Sequence, residues 1–594
     1  MNSTRYFLDV RKSATGLAWT HRLDPRQENV ALAIAQGHGV PDIVARVLAG
    51  RGVGQEDAAR FLDPTIRDLL PDPRTLTDMD KAANRIADAV MAGERVAIFG
   101  DYDVDGAASS ALMKRFFTHC GVEAEIYIPD RIFEGYGPNP DAMRDLVGRG
   151  ARLIVTVDCG TNSAPSIDAA NAAGADVVVL DHHQVGGDLP AAVAVVNPNR
   201  EDDLSGQGHL CAAGVVFLTL VRTTSILRER GSRTAAPDLL GWLDLVALAT
   251  VCDVVPLTGV NRAFVVKGLV AMRKLGNVGL TALARIARIG EPLNPYHLGF
   301  IIGPRINAGG RIGDAALGSR LLAGDDPVEA RTIAETLDRL NQERQAMEQV
   351  MLAQAKAEAD AEIGLNGAGP SVIVTASDEW HAGIVGLLAA RLKEHTRRPA
   401  FAISFNANDV GAGSGRSIPG FDLGRMVREA VERGLLLKGG GHAMAAGITV
   451  ERAKLGALRA FFEEWAADDV TRLRHEEALE VDAALSADGA GFDLLDALES
   501  AGPYGAGHAQ PVLVLPHHVL ADARIAGTNH IRLELRSQTG RRLQAMAFRA
   551  VDTDLGHFIF SSIGKPMHVV GNLNSNWWNG TRSAQFRVMD AAPA

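Results

Sequence analysis

The chain has 594 residues, 47% of them hydrophobic and 22% charged, with a formal charge of −11 and 62 glycines. That length exceeds what one hydrophobic core can hold, so three or four α/β domains are expected. The net acidity excludes a protein that coats nucleic acid with its whole surface, though not one with a local basic track.

Residues 1–90 read as an irregular N-terminal arm with short helices, a preamble to the main domain, in which Pro64, Pro71 and Pro73 mark a loop before a helix over Lys81–Ala92. Met1–Val10 has no apolar core of the kind a signal peptide carries, and no stretch approaches roughly eighteen uninterrupted apolar residues. A cytoplasmic protein with no membrane segment is therefore expected. From Arg95, β-branched runs alternate with Ala-rich helical stretches: Val96–Phe99, Leu153–Val157 and Val177–Leu180. This alternation predicts a doubly wound parallel sheet over residues 91–325. Pro327–Glu362, rich in Ala, Glu, Arg and Gln, predicts a long connector helix over residues 326–362. A second α/β domain is expected over 363–470, starting at Ser371–Thr375. Residues 471–594 alternate apolar and polar positions in His530–Arg536 and Leu543–Phe548, as in a small antiparallel β-domain that could close into a barrel.

In open α/β sheets, ligands bind beyond the carboxyl ends of the strands. Acidic residues fall just after four apolar runs: Asp101, Asp103 and Asp105 after Val96–Phe99, Asp158 after Leu153–Val157, Asp181 with His182 and His183 after Val177–Leu180, and Asp253 after Leu245–Val251. Taken as four strand ends, they converge on one rim. Packed carboxylates repel one another unless cations sit among them. Oxygen donors with one or two imidazoles suit Mn²⁺ or Mg²⁺ better than a thiolate zinc site. Two such ions about 4 Å apart serve in-line phosphoryl displacement, so phosphoester hydrolysis is the chemistry expected. An EF-hand fails because the twelfth loop position, Leu112, cannot ligate. For Asp158 or Asp253 alone, a helix N-cap is the plainer reading. The four cysteines, Cys120, Cys159, Cys211 and Cys252, form no C-x-x-C pair and are expected as reduced thiols, not ligands.

Gly100-Asp-Tyr-Asp-Val-Asp-Gly106, Val157-Asp-Cys-Gly160 and Asp181-His-His183 resemble successive motifs of the DHH phosphoesterase superfamily. Within it the match is to the RecJ single-strand-specific exonucleases, through Ile128–Gly137, Thr250–Pro256 and Gly303–Arg311. Gly413-Ser-Gly-Arg-Ser417 and Gly439-Gly-Gly-His-Ala443 resemble the DHH-associated domain, and the region from Gly502 onward resembles an OB-fold. The resemblance implies metal binding by Asp101, Asp103, Asp105, Asp158, His182 and Asp253, with the division between two ions left open. It implies substrate contacts from Arg131, Arg311, Ser414, Arg416 and His442, and catalytic roles for His183, Arg311 and His442. Guanidinium groups match phosphate with a planar fork, which suits the terminal phosphate of a strand.

The activity so implied is metal-dependent 5′→3′ degradation of single-stranded DNA to mononucleotides, in DNA repair and recombination. Arg532, Arg536, Arg541 and Arg542 would grip the incoming strand. Trp577 and Trp578 are candidates for base stacking or for the core. A single-strand-binding protein and a helicase are the expected partners of a monomer. Shorter DHH relatives that cleave small nucleotides, and non-catalytic replisome scaffolds, are the rival readings.

Overall fold

The computed structural model describes residues 5–130, 134–135, 137–364, 369–578 and 581–594. The chain enters through β1 (Ala18–His21) and two short helices, Pro25–His38 and Asp42–Ala49. The first is fixed at its start by an Asp24–Gln27 capping box.

The first large sheet is parallel throughout, in the order β3-β2-β4-β5-β6, from β2 (Val96–Gly100), β3 (Ala124–Tyr127), β4 (Leu153–Val157), β5 (Asp176–Leu180) and β6 (Ala194–Val196). β2 and β4 are buried along their whole length, so they read as unbroken apolar runs. Helices cover both faces. Met79–Ala92, Val104–His119 and Ala212–Glu229 share one core with Val155 and Val178, while Pro140–Gly148 and Ala164–Ala173 pack on Ile154 and Val179.

The apolar run before Asp253 departs from expectation. Leu243–Cys252 is an α-helix, and Asp253 is its C-cap rather than a residue after a strand. Its residues from Leu243 to Thr250 are all buried, so no polar face marked a helical period, and a short apolar run of that kind is ambiguous between the two structures. Asp253 still reaches the same rim, because the helix ends there.

The connector helix, Pro327–Ile363, runs 37 residues. Its first half joins the core of the parallel sheet through Ile333, Ala334 and Leu337, and its second half packs Met351, Ala355 and Ala359 against Trp380 and Leu388 of the second domain. That domain is a five-stranded mixed sheet, β10-β11-β9-β8-β7, from β7 (Ile373–Ser377), β8 (Ala400–Phe405), β9 (Val410–Arg416), β10 (Lys438–His442) and β11 (Ala445–Glu451). The helix Val385–Thr396 lies on one face of it, and Leu423–Glu432 and Leu455–Glu476 on the other.

The C-terminal part follows through β12 (Ala478–Val481), β13 (Ala483–Ala484), β14 (Leu513–Ala526), β15 (His530–Arg536), β16 (Arg542–Ala547), β17 (Pro566–Trp578) and β18 (Thr581–Pro593). β14 pairs with both β15 and β17, and this closes β14-β15-β16-β18-β17 into a barrel. β14 bends round it through register shifts at Leu515/His518 and Leu520/Asp522.

The start of the N-terminal arm is part of this C-terminal unit and not a preamble to the main domain. β1 pairs in parallel with β12, and Leu23, Ile34, Val44 and Leu48 share a core with Leu515, Ile531 and Phe586. Trp19 is fully buried, and its indole donates to Asp590 at 2.9 Å. From about Ile66 the chain turns to the core of the parallel sheet: Ile66 and Leu70 pack against it, and Leu76 lies inside it. Pairing partners so far apart in the chain, Ala18 with Ala478 for example, leave no local signal in the sequence.

Candidate metal centre

The loop after β2 carries three aspartates in three different roles. Asp103 caps the helix Val104–His119, accepting from the Gly106 amide at 3.0 Å. Asp105, the second residue of that helix, is buried and accepts from the backbone amides of Ala212 and Ala213 at 2.6 and 2.8 Å. These amides open another helix, whose dipole favours a negative group at that end. Asp101 turns back on the Tyr102 amide at 2.7 Å. Gly106 is required here, since a Cβ would lie 2.4 Å from the Asp101 carbonyl oxygen.

Asp158 ends β4 with φ at 60°, a left-handed conformation that Asp tolerates better than most residues. Asp181 ends β5 and does not sit in the carboxylate cluster. It accepts instead from the amides of Thr161, His182 and His183 and from His183 Nδ1 at 2.8 Å. Its carboxyl loses solvent on burial, yet the hydrogen bonds from His183 and Thr161 hold it well below the usual carboxylate range. Burial likewise opposes charge on His183, but the bond to Asp181 outweighs it and raises that imidazole. Asp181 thus orients the two histidines.

His182 Nε2 lies 3.3 Å from Asp158, 3.7 Å from Asp105 and 3.7 Å from Asp253. Among the described residues, donor atoms fall into three overlapping groups, each within 4.8 Å: Asp158 with His182 and His183; Asp105 with His182 and Asp253; and Asp101 with Asp103 and Asp158. The electrostatics follow from crowding. Burial, then neighbouring aspartates, push Asp158 well up, and burial raises Asp105 against the pull of His182. Asp253 is pushed up to about 9 by burial and then by Asp105 and Asp103. Divalent cations would remove this strain, and the donors are oxygen and imidazole nitrogen, as Mn²⁺ and Mg²⁺ require. Thiols take no part in these groups: Cys159 faces the Phe99 and Val157 carbonyls and Cys252 the Leu298 carbonyl.

Sequence reasoning passed over Asn197 and Asn199. Asn197 donates to the His183 carbonyl at 2.8 Å and to Thr161 at 2.9 Å, and Asn199 donates to the His182 carbonyl. Both follow β6, so polar side chains after a buried strand were the available signal.

A chain of contacts leads from the metal loop to the second domain. Gly310 packs on Tyr102, where a Cβ would lie 2.8 Å from the Tyr102 carbonyl. Next to it, Arg311 donates to the Gly383 carbonyl at 2.9 Å, across the domain boundary. Three residues on, Gly386 lies against Ser414 and Arg416, whose guanidinium donates to Ser414 Oγ at 2.9 Å. His442 and Arg416 both pair with Ala445 from opposite sides of β11, so the two share one face of the sheet. On that face Gly440 and Gly447 look into open space, whereas Gly413, Gly415 and Gly439 press their other face onto Ile448, Phe401 and Val427. Burial and then Arg416 lower the pKa of His442. Arg131 lies outside the described residues. On the barrel, Arg532, Arg536, Arg541 and Arg542 are exposed, as is Trp577, while the Trp578 side chain lies outside the described residues.

The DHH family N-terminal domain model matches residues 95–250, the DHHA1 domain model residues 369–468 and the RecJ OB domain model residues 481–590. The single-stranded-DNA-specific exonuclease RecJ of Escherichia coli K12 is 34% identical over 569 residues, covering 93% of this chain and 96% of that protein. The chain belongs to the RecJ family. The RecJ protein of Bacillus subtilis 168 is 32% identical, covering 96% of this chain and 70% of the relative. The crystal structure of RecJ in complex with Mn²⁺ from Thermus thermophilus is similar over 96% of this chain and 78% of that one, with a TM-score of 0.77 and 28% identity. A Mg²⁺ complex of RecJ from the same organism matches with a TM-score of 0.72 and 27% identity, covering 97% of this chain and 78% of that one. Among the described residues, no helix is long and apolar enough to cross a membrane.

Proposed function

We propose that this RecJ chain is a metal-dependent exonuclease that degrades single-stranded DNA in the 5′→3′ direction to mononucleotides, in DNA repair and recombination. The observation that carries the reading is the contact path from the carboxylate and histidine cluster, through Arg311 and Gly383, to Arg416 and Ser414. Asp101, Asp103, Asp105, Asp158, His182 and Asp253 would hold two Mn²⁺ or Mg²⁺ ions. When bound, such ions supply Lewis-acid charge and lower the pKa of water.

The chain's own residues do the positioning. Ser414 and Arg416, with Arg131, take the 5′-phosphate and so set both register and polarity. Arg311 lies between that pocket and the metal loop and meets the next phosphate. His442, which burial and then Arg416 push toward its neutral form, can donate a hydrogen bond to a phosphate oxygen. His183 is held in one orientation by Asp181, ready to take or give a proton at the reacting phosphate. The barrel arginines retain the trailing strand. A monomer in the cytoplasm, working with a helicase and a single-strand-binding protein, fits this role.

The test is digestion of an end-labelled single strand and its duplex with Mn²⁺ or Mg²⁺, by wild type and Asp158→Ala. Wild type should cut the single strand from its 5′ end, and the variant should lose on the order of 10³-fold in rate. Equal activity of the variant, or faster cutting of the duplex, would sink the proposal.

A further inference from the structure

A cavity of about 600 Å³ opens where three parts of the chain meet, and it shares no residue with the metal centre. One wall is the N-terminal segment at Arg11 and Gly16–Ala18. A second is the end of the helix Val385–Thr396, which delivers Arg397 and Arg398. The third is the last turns of Leu455–Glu476, with Arg474 and His475. The same short helix holds Gly386 against Arg416 at its other end, so the cavity and the proposed phosphate pocket lie about 18 Å apart along twelve residues.

The lining places four arginines, Arg11, Arg397, Arg398 and Arg474, against two carboxylates, Glu463 and Glu477. Glu463 is already engaged, accepting from Ser371 N at 2.6 Å and from its hydroxyl at 3.0 Å. Glu477 faces Arg397 at 3.5 Å, and Arg11 pairs with Asp9 at 3.4 Å. Arg398 is only 3% exposed. Burial and then Arg474 disfavour its charge while Glu463 favours it, and burial and then Arg397 disfavour that of Arg474 while Glu477 favours it, so each carboxylate only partly offsets the crowding of cations. The chain therefore gathers cationic groups that repel one another around a polar hollow, which an anion of two or more charges would complete.

We propose that this cavity binds a small molecule through a pyrophosphate-type chain, as carried by inorganic pyrophosphate or a nucleoside di- or triphosphate. Its size lies within the range of small-molecule sites, roughly 300–1,000 Å³. A DNA strand fits the lining less well, because among the described residues no Phe, Tyr or Trp lines the cavity to stack a base. An oligophosphate here contacts both the second domain and the N-terminal segment that packs on the barrel.

The experiment is calorimetric titration of the full-length chain with pyrophosphate, ATP, AMP and orthophosphate in EDTA, which keeps divalent ions away from the metal centre. Expected is one site that takes pyrophosphate and ATP at least about tenfold more tightly than AMP or orthophosphate. ATP binding but not pyrophosphate would assign recognition to the nucleoside and overturn the proposal. Arg474→Glu and Arg397→Glu, both at the rim of the cavity, should each weaken binding at least about tenfold, while Arg416→Ala should leave it unchanged. Absence of binding, or loss in Arg416→Ala with retention in Arg474→Glu, would overturn the proposal. So would a single-stranded oligonucleotide that competes for the site. These outcomes are independent of whether the chain cuts DNA.

Discussion

At His182, one imidazole nitrogen faces Asp105, Asp158 and Asp253 within 3.7 Å, and each of these carboxyls is raised. A carboxyl whose folded pKa is raised contributes stability below its unfolded value of 3.8 and loses it as pH climbs through the folded one, about 9 for Asp253. The metal-free protein should therefore lose thermal stability between about pH 5 and pH 9. At pH 8, Mn²⁺ at about a hundredfold excess over its Kd should restore about 2.7 kcal/mol. Calorimetry of wild type and Asp253→Asn checks both parts: the variant should show a flatter pH profile and a smaller Mn²⁺ response. An equal response in the variant would remove Asp253 from the ligand set. Arg416 makes a separate prediction. Arg416→Ala should lose most of the preference for 5′-phosphorylated over 5′-hydroxyl strands, about tenfold or more, in competition digests. An unchanged preference would take Arg416 out of the end pocket.

Elements decide whether these residues meet. The helix Gly303–Ile312 brings Gly310 onto the backbone of Tyr102, and Gly383 meets Arg311, where a Cβ would lie 2.4 Å from a backbone oxygen. Gly310→Ala and Gly383→Ala should each force a shift costing about 1–3 kcal/mol. That shift falls at the contact joining the metal loop to the second domain, so turnover should drop while far-UV circular dichroism stays the same. Wild-type kcat in both variants would show that the contact path plays no part in activity. The strands β2, β4 and β5 were legible in the sequence because each is a buried β-branched run with an acidic residue after it. The segment before Asp253 is not: an unbroken buried run from Leu243 to Thr250 carries no period, so in the sequence it reads as a strand, whereas it is a helix that ends with Asp253 3.7 Å from His182. Asp181 was seen as part of the motif, but its work as an acceptor for the Thr161, His182 and His183 donors is a matter of loop geometry that spacing does not encode.

At the scale of the molecule, the least legible feature is the union of the chain's two ends. Arg51 reaches Asp482 with both terminal guanidinium nitrogens, at 2.5 and 3.1 Å, and also donates to the Ala509 carbonyl at 2.9 Å. Asp482 is fully buried, accepts from the Val512 amide at 2.8 Å and has Arg22 as its second cation at 3.0 Å. Removing one partner of a buried pair leaves the other charge poorly compensated, at a cost of about 3–5 kcal/mol where no second cation exists. With Arg22 present, Arg51→Ala should cost less, about 2–3 kcal/mol. The loss should fall mainly on the unit made of the N-terminal segment and the barrel, whose apolar core is separate from that of the catalytic sheet and which meets the catalytic domain through the buried Arg262, a donor to the Phe61, Ala501 and Gly502 carbonyls. Limited proteolysis followed by mass spectrometry separates the possibilities. Faster cleavage within residues 478–594 and near β1, with residues 95–360 still protected, is the expected pattern. Uniform loss of protection would mean that the barrel unit and the catalytic core unfold together, and that the ends of the chain stabilise the whole enzyme rather than its C-terminal part.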